Sequence, residues 1–248
     1  MRSAALARRR RIPVLLPDTA TRRVAVVLGT RGSGQHLLNV LQPLLGKDTE
    51  IDLQGVFIED DELQRAVALP FSKELCRLTL SVREIQSARF ERTIALQTRT
   101  AHRAIAGLAR RMGVSHTFHK VRGSTISLLR ETAYSADITI FEPLRIFAAL
   151  PIAPPLHARR SQQRIIVAVD DPATLDRLNS ELLLSDPAPI LLLPGSGIQN
   201  LIATARAERA DMLVLGASEE LLKPESLRSL MEQLRCPICL VRQWDGRI

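Results

Sequence analysis

The sequence predicts an α/β protein built from two tandem, doubly wound parallel-sheet domains, the second of them trimmed. Three observations predict it. Short, continuous apolar runs of strand length alternate with helix-length amphipathic segments from end to end. Apolar strands joined by helices imply parallel pairing, because the chain must travel back over the sheet face between them. The segment SHTFHKVRGSTISLLRETAYSADITIF also lines up with PAPILLLPGSGIQNLIATARAERADMLVL, each reading strand, glycine turn, helix, Ala-Asp, strand.

RVAVVL (Arg23 to Leu28) is the first strand and ends on Gly29, with an apolar-periodic helix from about Gln35 to Leu45. IDLQGVFI (Ile51 to Ile58) alternates as the second strand and runs into the acidic group Glu59 to Glu62. From Ser72 to Met112 there is no proline and one glycine, so one long helix, or two meeting near Thr79 to Val82, is expected. His116 to Val121 is a strand, Ser124 to Ala133 a helix and Asp137 to Phe141 a strand. Pro143, Pro151, Pro154 and Pro155 then mark a linker. RIIVAV (Arg164 to Val169) restarts the pattern, followed by a helix over about 173–184, a strand at Ile190 to Leu193 and a helix opened by Gly195-Ser196-Gly197. A strand at Asp211 to Leu215, a helix over 219–234 and a closing strand at Pro237 to Val241 complete it. The second copy has no room for the second strand and long helix of the first. The expected organisation is a basic arm over 1–21, a first domain over 22–142, a Pro-rich linker over 143–161 and a trimmed second domain over 162–244.

The chain has 248 residues, 46% of them hydrophobic and 24% charged, enough for real cores and too apolar for disorder. No apolar run approaches the roughly 18 residues needed to cross a bilayer, so no membrane association is expected. Five of the eight net positive charges lie in the first twelve residues, an Arg-rich, acid-free arm whose apolar Ile12 to Leu16 is too short for a secretory signal. Three cysteines, Cys76, Cys236 and Cys239, point to a reducing compartment, and a cytoplasmic location is expected.

These patterns resemble the universal stress protein family, in its tandem two-domain form. RVAVVL and RIIVAVDD resemble the family's first strand; VRGSTISLLRETAYSADITIF and GSGIQNLIATARAERADMLVLGAS resemble its glycine turn, helix and Ala-Asp strand; CPICLVR resembles its closing Cys-Pro strand. GVFIEDDELQRAVALPF, with Leu69-Pro70-Phe71, resembles the acidic, proline-marked insertion of proteobacterial members. The resemblance, spanning about Arg22 to Arg242, implies a Rossmann-like, adenine-nucleotide alpha-hydrolase-like fold with a five-stranded parallel sheet. It further implies a nucleotide cleft at the carboxyl ends of the strands, a stress-related role, and pairing as a homodimer or an intramolecular pseudo-dimer. Nucleotide-binding members carry glycine, two residues, glycine, nine residues, then Gly-Ser or Gly-Thr after the fourth strand. Here Gly216-Ala217-Ser218-Glu219-Glu220 keeps only the first glycine, and Glu142-Pro143 stands there in the first half. Acids in place of phosphate-binding amides repel a triphosphate. Asp170 matches the acidic residue the family places near the adenine and ribose, whereas the first half has Gly29-Thr30 there.

Several turns are candidate binding sites on their own chemistry. Gly29, Arg31, Gly32, Ser33 and Gly34 lie between a strand and a helix with the glycine spacing of a Walker loop. Gln35 and His36, however, stand where Lys and Ser or Thr would contact terminal phosphates and magnesium. The loop reads as an anion site or as a tight βα turn. Arg122-Gly123-Ser124 and Gly195-Ser196-Gly197 occupy matching turns that either bind phosphate or cap a helix, with Arg122 a possible phosphate fork.

Cys236-Pro237-Ile238-Cys239 enters a strand, where residues three apart point to opposite faces, so neither redox chemistry nor zinc binding is expected. The five histidines show no metal spacing, and no nucleophile or paired-carboxylate arrangement accompanies them. Glu59 to Glu62 reads better as a helix N-terminus than as a cation site. The basic, amphipathic stretch Arg83 to Arg111 has only Phe90 as an aromatic, so nucleic acid is not the expected partner; an unidentified protein partner is. The functional expectation is a non-catalytic, stress-related binding or regulatory module without the family's ATP binding and with no required cofactor. The alternative is a protein that binds, or slowly hydrolyses, an adenine nucleotide at Gly29 to Gly34.

Overall fold

The computed structural model describes residues 21–29, 37, 50–75, 79–143, 165–169, 190–192 and 197–242. The apolar runs form strands β1 (Arg22–Gly29), β2 (Ile51–Asp60), β5 (Ser115–Gly123), β6 (Ile138–Phe141), β7 (Ile165–Val169), β8 (Ile190–Leu192), β9 (Met212–Ala217) and β10 (Ile238–Arg242). A small hairpin holds β3 (Lys73–Leu75) and β4 (Val82–Glu84). The helices are α1 (Asp61–Ala68), α2 (Ser87–Met112), α3 (Thr125–Ser135), α4 (Ile198–Ala207) and α5 (Pro224–Gln233). The expected linker, from residue 144, and the helices expected over 35–45 and 173–184 lie outside the described residues, apart from Leu37, which is helical and buried.

Eight strands form one sheet in the order β5-β2-β1-β6-β10-β9-β7-β8. Every neighbouring pair is parallel except β6 and β10. The molecule is therefore a Rossmann-like α/β protein with a mostly parallel sheet and alternating helices. The first half contributes β5-β2-β1-β6 and the second β10-β9-β7-β8. In the second, β8, which the repeat aligns with β5, lies directly against β7, where the first half has β2 beside β1.

The sequence reading places a strand set in each half; the structure makes β10 common to both. Ile238 to Val241 pair antiparallel with Phe141 to Ile138, while Ile238 to Arg242 pair parallel with Leu213 to Ala217. A clasp holds the junction. Asp137 accepts from the Arg23 backbone N–H at 2.9 Å and from Arg242 Nη2 at 2.8 Å, and its carbonyl accepts from the Arg242 N–H at 2.9 Å.

Alternation divides the core into two layers. On one face Val24, Val26, Leu53, Phe57, Ile138, Ile140, Val214, Cys239 and Val241 meet Ile94, Ile105 and Leu108 of α2. On the other, Val27, Val56, Phe141, Leu213, Leu215, Ile238 and Leu240 meet α3, α4 and α5. At Gly55 in β2, an added Cβ would come to 2.7 Å from Phe118 and 3.0 Å from Ile105, so glycine is what lets α2 settle on the sheet.

One expectation is corrected. Residues 72–75 and 79–86 are not helical. Leu69, Pro70, Phe71 and Ser72 make a turn with Phe71 at φ 65°, closed by the Ser72 N–H donating to Leu69 O at 3.3 Å. The Ile85 N–H donates to Ser72 O, Arg83 pairs with Glu74, and Thr79 and Ser81 share a hydroxyl hydrogen bond beside Leu80 at φ 53°. Leu80, in the left-handed conformation, breaks any helix here, and no proline or glycine beside it marks the break.

Leu240→Pro, in a strand paired on both sides, is expected to cost roughly 3 kcal/mol or more. Amide exchange will then show Val26 in the first half and Val214 in the second losing protection together. Gly55→Ala should destabilise by about 1–3 kcal/mol through overpacking, read as a fall in the urea midpoint.

Candidate functional site

An open α/β sheet binds ligands beyond the carboxyl ends of its strands, where the strand order reverses. In the first half that point lies between β1, ending at Gly29, and β6, followed by Glu142 and Pro143. In the second it lies between β7 and β9. Because β10 runs antiparallel to β6, the two carboxyl edges open at opposite ends of the sheet. The candidate turns consequently do not converge. Gly29 and Arg122-Gly123-Ser124 share one edge, with β2 between their strands, while Gly197 belongs to the other half. Arg31, Gly32, Ser33, Gly34, Asp170, Gly195 and Ser196 lie outside the described residues.

At the ends of β2 and β5 on the first-half edge, Lys120 and Arg122 are already matched by carboxylates. Asp60 is the N-cap of α1, its Oδ1 accepting from the N–H groups of Glu62 at 2.8 Å and Leu63 at 3.3 Å. Its Oδ2 accepts from Thr125 Oγ1 at 2.9 Å, tying α1 to α3. Asp61 and Glu62 fill the first turn of α1, where the helix dipole favours acids. Arg122 donates from Nε to Asp61 at 2.8 Å, and Lys120 pairs with Glu59 at 2.6 Å. The acidic group is thus a helix start that neutralises the basic side chains of β5, and the guanidinium expected as a phosphate fork is held by a carboxylate.

The expected caps also shift. Ser124 occupies the N-cap position of α3, but its side chain makes no capping bond. In α4 the N-cap is Gly197, whose carbonyl accepts from Asn200 and Leu201. After β9, Ser218 Oγ accepts from the Leu221 N–H at 3.3 Å and closes a turn.

Two buried oxygens stand out near the end of β6. Thr139 Oγ1 and Glu142 Oε1 have no hydrogen-bond partner among the described residues. Sequence reasoning singled out Glu142 but missed Thr139, which is a polar residue inside an apolar run. Asp137 was also missed as a clasp, although its signal was present in the Ala-Asp pair that both copies of the repeat carry.

Cys236, just before β10, and Cys239 within it are free, buried and in different core layers. Burial pushes the Cys236 thiol up to about 11 and the Cys239 thiol up to about 12. Among the described residues no three His, Cys, Asp or Glu side chains form a metal-binding group, and no helix is long and apolar enough to cross a membrane.

The chain matches no family model and no curated protein. Among solved structures it is similar to a universal stress protein from Archaeoglobus fulgidus, at 8% identity and a TM-score of 0.42, over 90% of this chain and 97% of that one. It is also similar to a functionally unknown protein from Pseudomonas aeruginosa, at 11% identity and a TM-score of 0.34, over 90% and 93% of the two chains.

The two buried thiols give a direct check on the site chemistry. In a Cys76→Ser background the native protein is expected to leave both thiols unreacted with Ellman's reagent at pH 8, whereas both react in guanidinium. Because each folded-state value lies above the free thiol's 9.0, the unfolded chain loses its protons first. Urea stability should therefore hold to about pH 8 and fall as pH rises through the interval from 9 to about 12.

Proposed function

We propose that the protein is a non-catalytic, stress-related module of the universal-stress type, which binds or regulates a protein partner without the family's ATP-binding chemistry. The observation that carries this reading is Glu142 at the reversal point of the first half. Its carboxyl lies just past the end of β6, with one oxygen buried and unpartnered among the described residues. Phosphate binding at such a point needs convergent backbone N–H groups and a positive potential. Among the described residues, Lys120 and Arg122 on the same edge are already paired with Glu59 and Asp61. The arrangement after β9 supports the same reading, since Ser218 is committed to its own turn. The two halves, joined through β6 and β10, serve as an intramolecular pseudo-dimer, and the expected compartment is the cytoplasm.

A thermal-shift titration with ATP, ADP, AMP and cyclic dinucleotides, with and without magnesium, tests this reading. No rise in midpoint is expected at millimolar ligand, whereas a ligand present at 100 times its Kd would contribute about 2.7 kcal/mol. Glu142→Gln should be neutral or stabilising, since it removes the charge from a carboxyl with a buried oxygen that no described residue partners. A dose-dependent rise in the native protein that Gly32→Asp abolishes would overturn the proposal and transfer the function to the Gly29 to Gly34 loop.

A further inference from the structure

Helix α2 carries six arginines, Arg89, Arg92, Arg99, Arg103, Arg110 and Arg111, against one carboxylate, Glu91. All seven side chains are exposed. Among the described residues none of the six arginines is in an ion pair. Arg92, Arg99, Arg103 and Arg110 are spaced seven, four and seven residues apart, which places them on one line along the helix. The buried residues Ile94, Ala101, Ile105 and Leu108 each lie two positions from one of these arginines. Two positions is a little over half a turn at 3.6 residues per turn, so the arginine line runs along the face opposite the core. The sequence pattern gives a basic, amphipathic stretch for which nucleic acid is not the expected partner; the fold puts four of its arginines on one outward ridge, and the missing aromatics count only against single strands.

We propose that this ridge binds the phosphate backbone of double-stranded nucleic acid without reading its sequence. From Arg92 to Arg110 the ridge is about 27 Å long at 1.5 Å per residue, the length of about eight base pairs at 3.4 Å each. Guanidinium groups match phosphate oxygens bidentately and are more weakly hydrated than ammonium groups. The helix presenting them is rigid, seated on β2 and β5 where Gly55 admits Ile105. Single strands fit poorly, because stacking needs exposed aromatic rings and Phe90, the helix's one Phe, Tyr or Trp, packs against the core. A lipid surface fits poorly as well. An interfacial helix needs a free apolar face; that of α2 is used in the core, with Leu96 the one large apolar side chain exposed along the ridge. The carboxyl-edge charges Lys120 and Arg122 are paired and take no part, so this surface stands or falls independently of the nucleotide question.

The test is fluorescence anisotropy of a labelled 20-base-pair mixed-sequence duplex titrated with the full chain between 50 and 200 mM salt. Binding is expected to weaken steeply with salt. Substituting Arg92, Arg99, Arg103 and Arg110 with Gln should weaken it at least tenfold at 100 mM salt. It should also reduce the slope of log K against log salt by about 3–4, at roughly 0.9 for each phosphate that is no longer neutralised. Arg228→Gln with Arg235→Gln, exposed arginines elsewhere on the chain, should leave affinity within twofold, and circular dichroism should show each variant folded. The proposal is overturned if the duplex fails to bind at 50 mM salt, or if the fourfold variant binds as tightly as the native chain. It is equally overturned if phosphatidylserine vesicles, polyglutamate or the single strand bind more tightly than the duplex.

Discussion

The structure depends on one strand that serves two partners. β10 closes the second half in parallel and the first half in antiparallel, so the last strand in sequence becomes an interior strand of the whole sheet. An unpaired strand edge leaves a row of backbone N–H and C=O groups without partners. Along Ile138 to Phe141 those groups are satisfied on the side away from β1 by residues about 100 positions later. The Asp137 clasp extends the pairing beyond the ladder, because a carboxylate from the first half holds both the backbone of β1 and the guanidinium of Arg242.

The same junction decides where chemistry can happen. An antiparallel seam between two parallel half-sheets turns their carboxyl edges in opposite directions, so the half-sites cannot be pooled into a single cleft. Each edge must supply its own phosphate-binding groups. In the first half, the segment after β2 fills the edge with carboxylates that start α1 and neutralise Lys120 and Arg122. A positive charge held by a carboxylate at hydrogen-bond distance contributes little field at a ligand position beyond it. Local folding needs and ligand needs compete for the same side chains here, and the observed contacts satisfy the fold.

Much of the fold was legible because strand and helix periodicities differ. The runs at Val24 to Leu28, Ile138 to Phe141 and Met212 to Leu215 are buried on both faces, and such strands announce themselves by near-continuous hydrophobicity. The pairing of β3 with β4 was not legible, since Phe71 and Leu80 adopt left-handed backbone conformations with no glycine to signal them. The shared strand was not legible either: CPICLVR reads as a closing strand whichever neighbour it takes, and pairing partners are a tertiary property. At the site, the glycine turns and the acidic group could be found from residue types alone. That Arg122 is taken by Asp61, and that Ser124 caps nothing, depends on distances between segments about 60 residues apart.

Charge is distributed in this molecule by how tightly each element is held from below. Helix α2 commits its apolar face to the core, so its outer face is free to carry arginines that no described residue pairs with. The carboxyl edge has no such freedom, because its side chains also cap α1 and link it to α3. A cation there is consumed by an acid already required for folding; a cation on the outside of α2 is not. Beyond the Arg-rich arm, arginines therefore form an accessible surface along α2 instead of at the carboxyl edge.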